Sequence, residues 1–189
     1  MVRTQESRMK SFALSFFVAA VAAATVHAAD VADPKAALVR AMRTDEIALS
    51  GAKRAFLSGA MAEKFPAIDK KCVKRFGFAE FTGGFSQAVG QVLNPAEIDT
   101  ALKFYQSDAG VKYVEGTLRR LQARYGEDSG IPKISGKEDI SPQQMAEIAE
   151  FTRSDLGHKV MGKQLSESPA SLLAGREMVE KIGAACSRK

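Results

Sequence analysis

The stretch FYQSDAGVKY, residues 104–113, returns in altered form as FTRSDLGHKV, residues 151–160. Both read F-x-x-S-D-x-G-x-K, and each follows an X-Pro dipeptide at the same distance. A pattern that repeats together with its flanking apolar positions indicates a repeated structural unit. We therefore predict two related helical hairpins, in residues 93–117 and 140–164.

Each shared residue of the pattern has a structural explanation. The serine suits the N-cap of a second helix, and the aspartate after it faces the positive end of the helix dipole. The glycine allows two helices to approach closely, the phenylalanine fills the inside of the corner, and the lysine points to solvent. These corner residues are Phe104, Ser107, Gly110 and Lys112 in the first copy, and Phe151, Ser154, Gly157 and Lys159 in the second.

Helix starts are marked by an N-cap residue directly before proline, which pre-sets the first helical turn. Four such pairs occur: Asp33-Pro34, Asn94-Pro95, Ser141-Pro142 and Ser168-Pro169. Apolar residues then recur at helical spacing, and no segment shows strand alternation. We predict an all-α fold, with one long helix from Pro34 whose apolar stripe runs to Phe56 and is interrupted by Asp45, another helix after Pro66, and a polar surface loop at 126–140.

The first 28 residues have the composition of a secretory signal peptide. Three basic residues open it, the apolar run 11–26 follows, and Val26-His27-Ala28 places small residues at a cleavage site. The run is shorter than the roughly 20 apolar residues that span a bilayer. We favour cleavage over an uncleaved anchor, and predict a periplasmic or secreted protein without a transmembrane segment in its mature part.

The mature part, residues 29–189, has the length of one domain. We predict a single helical bundle of about six or seven helices. Cys72 and Cys186 are its two cysteines. In an oxidising compartment such a pair is most simply a structural disulfide. The alternative, a redox or catalytic thiol, lacks a C-x-x-C motif.

The segment LNPAEIDTALKFYQSDAGVKYVEGT, residues 93–117, resembles an exported bacterial domain-of-unknown-function family, numbered twenty fifty-nine. The second copy matches more loosely, with Thr152 in place of tyrosine and His158 before the lysine. The resemblance implies an all-helical bacterial envelope domain. It carries no established catalytic residues, so no role can be transferred from the family.

Nucleic-acid binding and catalysis both lack support in the sequence. The basic residues Arg119 and Arg120 are interleaved with Asp108, Glu115 and Glu127, as on a solvated helix face, and an exported protein does not meet the genome. His158 is the one histidine outside the signal segment, without triad or metal-ligand spacing around it. We therefore predict no enzymatic activity, no metal, no cofactor and no nucleic-acid partner.

The stretch FGFAEFTGGF, residues 76–85, has two interpretations. Its four phenylalanines cannot share one stripe of a straight helix. Either the glycines bend the segment so that all four rings are buried, which we favour, or some rings face outward. In the second case Phe78, Phe81 and Phe85 would form a groove for an apolar ligand or a partner helix.

The sequence favours a non-enzymatic envelope or secreted protein that binds a partner protein. The contact would use the phenylalanine groove or the basic face of residues 112–124, with Arg119 and Arg120 as candidates. The alternative is a periplasmic helical carrier of an apolar small molecule, such as a lipid. Neither the identity of the ligand or partner nor the oligomeric state follows from the sequence.

Overall fold

A computed structural model describes residues 33–77, 79–126, 131, 134 and 139–188. All of them belong to the compact unit Val31–Lys189. The predicted signal peptide and Phe78 lie outside the described residues. Within the described residues the fold is all-α, as predicted, and the one β-like feature is an isolated antiparallel bridge between Ile68 and Ser187.

Most helices follow one another with short connections, and the two long ones are residues 58–69 and 126–141. They are α1 (Pro34–Met42), α2 (Thr44–Leu57), α3 (Lys70–Arg75), α4 (Thr82–Val92), α5 (Pro95–Gln106), α6 (Asp108–Tyr125), α7 (Pro142–Arg153), α8 (Asp155–Met161), α9 (Lys163–Ser166) and α10 (Pro169–Cys186), with a 3-10 turn at Ala79–Phe81. Among the described helices, none combines the length and the hydropathy needed to cross a bilayer.

All four predicted X-Pro helix starts are confirmed. The side chain before each proline accepts a hydrogen bond from a backbone N–H of the first turn, and these caps are Asp33, Asn94, Ser141 and Ser168. At α5 and α7 a glutamate or glutamine also reaches back to the N-cap backbone, which completes a capping box. Equivalent helices of the two repeat units therefore begin in the same way.

The predicted long helix from Pro34 is broken in two. Arg43 separates α1 from α2 in a left-handed conformation, with φ 53° and ψ 35°. Its side chain forms an ion pair with Glu46 on α2. Asp45 is buried beyond the break and accepts a 2.6 Å hydrogen bond from the Thr82 hydroxyl at the start of α4. This buried contact fixes the direction in which α2 leaves the corner.

The chain after Pro66 does not enter a helix at once, because Asp69 and not an X-Pro pair caps α3. The predicted disulfide joins Cys72 of α3 to Cys186 at the end of α10. Two backbone hydrogen bonds flank it, from Asp69 N–H to the Cys186 carbonyl (2.7 Å) and from Arg188 N–H to the Ala67 carbonyl (2.8 Å). The C-terminus is thereby fastened to the segment before α3.

The core forms where α1 packs between α4 and α5, and where α10 packs on the other side of α4. Leu38 and Val39 of α1 are fully buried there. The predicted surface loop 126–140 lies mostly outside the described residues. Ile131 is buried, however, and Ile134 packs against the core, so two side chains of that segment belong to the interior.

The two predicted corners have the same hydrogen bonds. In the first, Ser107 Oγ donates to the Phe104 carbonyl (2.8 Å) and accepts from Gly110 N–H (3.2 Å). In the second, Ser154 Oγ makes the equivalent bonds at 2.7 and 2.9 Å. Each serine therefore joins the last turn of one helix to the first turn of the next.

The corner glycines lie directly against the preceding helix. A Cβ atom at Gly110 would stand 2.0 Å from the Phe104 carbonyl oxygen, and one at Gly157 would stand 1.9 Å from the Phe151 carbonyl oxygen. Any side chain would therefore push the two helices apart. Both glycines are buried, so the repeated pattern reflects packing at a helical corner.

The two repeat units pack against each other reciprocally. The rings of Phe104 and Phe151 stack with centroids 3.8 Å apart and planes 8° apart. Around this pair α5 contacts α8 and α6 contacts α7, as expected for two units related by an approximate two-fold axis. Each phenylalanine thus fills the space between the corners, and not only the inside of its own corner.

Candidate functional site

An apolar cavity of about 430 Å³ opens beside the twin corners. Helices α2, α6, α8 and α10 supply most of its wall. The lining residues are Met42, Thr44, Ile47, Ala48, Phe85, Tyr105, Tyr113, Val114, Thr117, Val160, Met161, Gly162, Leu165, Ser166, Ser171 and Gly175. The volume falls within the range of about 300–1,000 Å³ that is typical of small-molecule sites.

The cavity is built from equivalent positions of the two repeat units. In the aligned repeat, Tyr113 corresponds to Val160 and Val114 to Met161, and all four side chains line the wall. The reciprocal packing of the corners therefore brings the start of α6 and the end of α8 to the same space. The residues of the repeat serve the packing of the two units, and this packing also forms the cavity.

None of the described side chains that line the cavity is charged. Three of its hydroxyl groups are already engaged with backbone carbonyls. Thr117 donates to Tyr113 O (3.0 Å), Ser166 to Gly162 O (3.2 Å) and Ser171 to Leu165 O (2.6 Å). These residues present mainly their carbon atoms to a ligand, so the wall is less polar than its sequence suggests.

Tyr105 is the most buried polar residue of the wall, with only 4% of its surface exposed. Burial raises the pKa of its phenol, and the nearby Tyr113 raises it further. The phenol therefore stays protonated at every physiological pH and is available as a hydrogen-bond donor. Its ring also packs edge-on against Phe151, with centroids 5.6 Å apart, which holds it in place.

Two of the three phenylalanines of the predicted groove, Phe81 and Phe85, point inward, and the third, Phe78, lies outside the described residues. Phe81 and Phe85 are buried, at 7% and 5% exposure, and Phe76 stacks on Phe81 with centroids 6.3 Å apart. The 3-10 turn and the glycine-rich start of α4 bend the segment so that Phe81 and Phe85 are buried, as in the interpretation that we favoured, while Phe76 is half-buried. Phe85 also lines the cavity.

The predicted basic face is partly neutralised by an acidic neighbour. Lys112 and Arg119 lie 3.8 and 3.7 Å from the Glu115 carboxylate on the same helix. Arg119 is half-buried, and its Nε has no hydrogen-bond partner among the described residues. Arg120 is exposed and donates to the Thr117 hydroxyl at 3.1 Å. Of the two candidate arginines, only Arg120 is freely accessible to a partner.

His158 is exposed on α8, beyond the second corner. Among the described residues, no three His, Cys, Asp or Glu side chains come together as a metal site would require. The histidine does not line the cavity either. It is thus separate from the one site that the repeat units build together.

Lys159 does not simply point to solvent, as the sequence predicts for both corner lysines. It forms an ion pair with Glu97 of α5, across the two repeat units. In the second repeat unit, Gln144 occupies the position of Glu97. Lys112, the equivalent of Lys159, therefore forms its ion pair with Glu115 on its own helix. One salt bridge thus breaks the symmetry of the paired units.

We expect Glu97→Gln to remove this ion pair while the capping box stays intact, because Gln144 fills the same position in α7. The Lys159 contact, followed by the Asn94 N–H, lowers the pKa of Glu97 below its ordinary value of 4.5. A carboxylate with a lowered pKa in the folded state stabilises the folded protein at any pH above the ordinary pKa of the group. This stabilisation is lost as the pH falls through the folded-state pKa. The variant should therefore be less stable than wild type at pH 7.

Urea unfolding at pH 7 and at pH 3 measures this difference. The gap between the midpoints of wild type and variant should narrow as the pH falls below 4.5, because the stabilisation is lost as the pH falls toward and through the lowered pKa of Glu97. The exposed Glu150→Gln serves as a control and should show no such pH-dependent gap. A gap for Glu97→Gln that persists unchanged at pH 3 would contradict an electrostatic origin.

The sequence did not single out the cavity residues Tyr105, Tyr113 and Thr44 as functional. The available signal was weak, because Tyr105 and Tyr113 occupy tyrosine positions that the second repeat unit fills with Thr152 and Val160. The two tyrosines occur in only one copy of the repeat, so the packing that both copies share does not require them. Thr44 carried no signal, since its place in the wall depends on the break at Arg43.

Comparison with known proteins gives no relative from which a role could be taken. No family model, no curated protein and no solved structure matches the chain. The resemblance of residues 93–117 to the domain-of-unknown-function family therefore stays a prediction.

Proposed function

We propose that this protein is an exported binding protein that holds an apolar small molecule in the cavity beside its twin corners. The observation that carries the proposal is the cavity itself, about 430 Å³ in volume and without a charged side chain among the described residues of its wall. Burial of an apolar ligand against such a wall is favourable, at roughly 25 cal/mol for each Å² removed from water.

The scaffold around the cavity supports binding because it is held at several points. The corner serines, the stacked phenylalanines and the disulfide each fix a helix that contributes to the wall or packs behind it. A preformed site loses less conformational entropy when it binds a ligand. The half-exposed Met42 and Met161 lie on the cavity wall, and flexible thioether side chains adapt to ligands of irregular shape.

Export is part of the proposal and rests on two independent features. The segment 1–28 has the order of charge, apolar run and small residues found in signal peptides. The Cys72–Cys186 disulfide is of the kind that persists in oxidising compartments outside the cytoplasm. A carrier in such a compartment would keep an apolar molecule out of water between its source and its destination.

We expect Gly175→Leu to abolish ligand binding without harm to the fold. Gly175 lies in α10 on the cavity wall, and a Cβ there meets no atom within 4 Å. A leucine at this position would fill the cavity, while the loss of a helical glycine stabilises by about 0.5–1 kcal/mol. Titration with the fluorescent apolar probe N-phenyl-1-naphthylamine should show at least about a tenfold loss of affinity, or about 1.4 kcal/mol.

Gly51→Leu is the matched control for this substitution. Gly51 is exposed on α2, outside the cavity, and a Cβ there also meets nothing within 4 Å. This variant should bind the probe as wild type does. Failure of the wild-type protein to bind the probe, or equal binding by Gly175→Leu, would remove the support for a carrier.

Binding of a partner protein is the competing prediction from the sequence, and two phenylalanines of one of its two surfaces point inward. Phe81 and Phe85 are interior, which leaves the basic face around Arg120. Cross-linking in the cell envelope separates the two functions. A stable complex that is lost in Arg120→Glu, from a protein that binds no apolar probe, would favour the partner.

A further inference from the structure

We infer that the ligand is uncharged and carries a carbonyl or hydroxyl oxygen that accepts a hydrogen bond from Tyr105. This inference rests on the proposed function, since it names the class of molecule that the same cavity takes. It depends on three features of the described wall: its lack of charged side chains, the buried hydroxyl of Tyr105, and the engagement of three of the other five hydroxyls, with those of Thr44 and Tyr113 on less buried residues.

The lack of charge selects against an ionised ligand. A carboxylate or phosphate that enters an apolar cavity loses its hydration, and that loss is large unless a cation or several donors replace the water. None of the sixteen described residues of the wall is Lys, Arg or His. A neutral molecule avoids this cost, so the wall discriminates by the charge of the ligand.

The Tyr105 hydroxyl supplies the polar contact. No hydrogen bond joins it to another described residue, and Arg119 Nε is the only fully enclosed side-chain nitrogen or oxygen without a partner in the described part of the chain. The Tyr105 hydroxyl therefore reaches open space. Because Tyr105 is almost completely buried and lines the cavity, that space is the cavity.

The protonation state of Tyr105 decides which partner donates the hydrogen bond. Burial keeps the phenol neutral, so it donates a hydrogen bond to an oxygen of the ligand. The hydroxyls of Thr117, Ser166 and Ser171 already donate to backbone carbonyls, which leaves Tyr105 as the deepest donor. Long-chain ketones, alcohols, esters and quinones all offer the matching acceptor.

The first test compares two probes of nearly identical shape. N-phenyl-1-naphthylamine is neutral, and 8-anilino-1-naphthalenesulfonate is the same molecule with a sulfonate group. We expect the purified protein to bind the neutral probe at least about tenfold more tightly, or about 1.4 kcal/mol. Equal or tighter binding of the sulfonate would overturn the exclusion of charge.

The second test isolates the oxygen. Decan-2-one, decanoate and decane should compete for the neutral probe in the order ketone, then decane, then decanoate. A hydrogen bond of ordinary strength makes the ketone about two- to tenfold better than decane. A ketone that competes no better than decane in the wild-type protein would overturn the inference, with no variant needed.

The third test assigns the donor. Tyr105→Phe keeps the ring that packs on Phe151 and removes only the hydroxyl. The variant should lose the preference for decan-2-one over decane, while its affinity for decane stays unchanged, which a merely structural defect would not produce. A ketone preference that survives in this variant would show that another group is the donor.

The outcomes also separate this inference from the proposed function. If no apolar probe binds at all, the carrier itself is wrong. If the neutral probe and decane bind but neither charge nor oxygen matters, the carrier stands and the inference about its ligand fails.

Discussion

We expect Gly110→Ala to lower the free energy of unfolding by about 3 kcal/mol or more, at the upper end of the usual cost of overpacking. The added Cβ would stand 2.0 Å from the Phe104 carbonyl oxygen and 2.7 Å from the Tyr105 Cα. Both are backbone atoms, so no side-chain rotation can relieve the contact. The two helices of the corner must separate, and the Ser107 hydrogen bonds that join them would weaken.

Thermal unfolding measures the effect. For a chain of this length, about 3 kcal/mol corresponds to a drop of roughly 6–12 °C in Tm. Gly157→Ala should cause a similar loss, because its Cβ would stand 1.9 Å from the equivalent carbonyl oxygen. Similar losses at both sites would establish that the twin corners contribute equally to stability.

Two controls separate close packing from the general effect of a substitution. Gly51→Ala, at an exposed helical glycine with open space around its Cα, should raise stability by about 0.5–1 kcal/mol. Lys112→Ala should change little, since its ion pair with Glu115 is half-exposed and long, at 3.8 Å. A larger loss for Lys112→Ala than for Gly110→Ala would contradict the role of the glycine.

Much of the helical architecture could be predicted because its determinants are local. An N-cap side chain bonds to the next few residues of the same chain, so Ser168 before Pro169 is enough to place the start of α10. The corners were predictable for the same reason. Ser107 and Gly110 act on a helix that ends one residue earlier, and their recurrence at 154 and 157 identified the pattern.

The errors fall where a distant contact overrides the local pattern. The apolar stripe after Pro34 continues past Arg43, yet the chain turns there, and the buried bond between Asp45 and Thr82 joins residues far apart in sequence. Ile131 is embedded in a polar, glycine-rich segment that reads as a loop, but it is buried in the core. A short segment of sequence does not reveal the distant residue that it will contact.

The candidate site was the least predictable feature because a cavity is defined by what packing leaves empty. Gly175 reads as an ordinary helical glycine, and only the position of α10 beside the corners makes it part of a wall. The repeat pointed to the right region, since Tyr113 and Val160 are equivalent positions. It could not show that the two units face each other through Phe104 and Phe151.

The disulfide gives the other large expected effect. We expect Cys72→Ala with Cys186→Ala to lower the free energy of unfolding by about 4–5 kcal/mol in the chain-entropy treatment. The bond closes a loop with a sequence separation of 114, so the oxidised unfolded chain has far fewer conformations than the open one. The double substitution avoids a free thiol, which would bring its own chemistry.

Guanidinium unfolding with and without reductant measures this effect and its mechanism together. Wild type should lose stability on reduction and approach the double variant, whereas the variant should not respond to reductant. Because the open chain exposes more surface when unfolded, the m-value should also rise on removal of the bond. An unchanged midpoint after reduction of wild type would mean that the backbone bonds of Asp69 and Arg188 alone hold the C-terminus against α3.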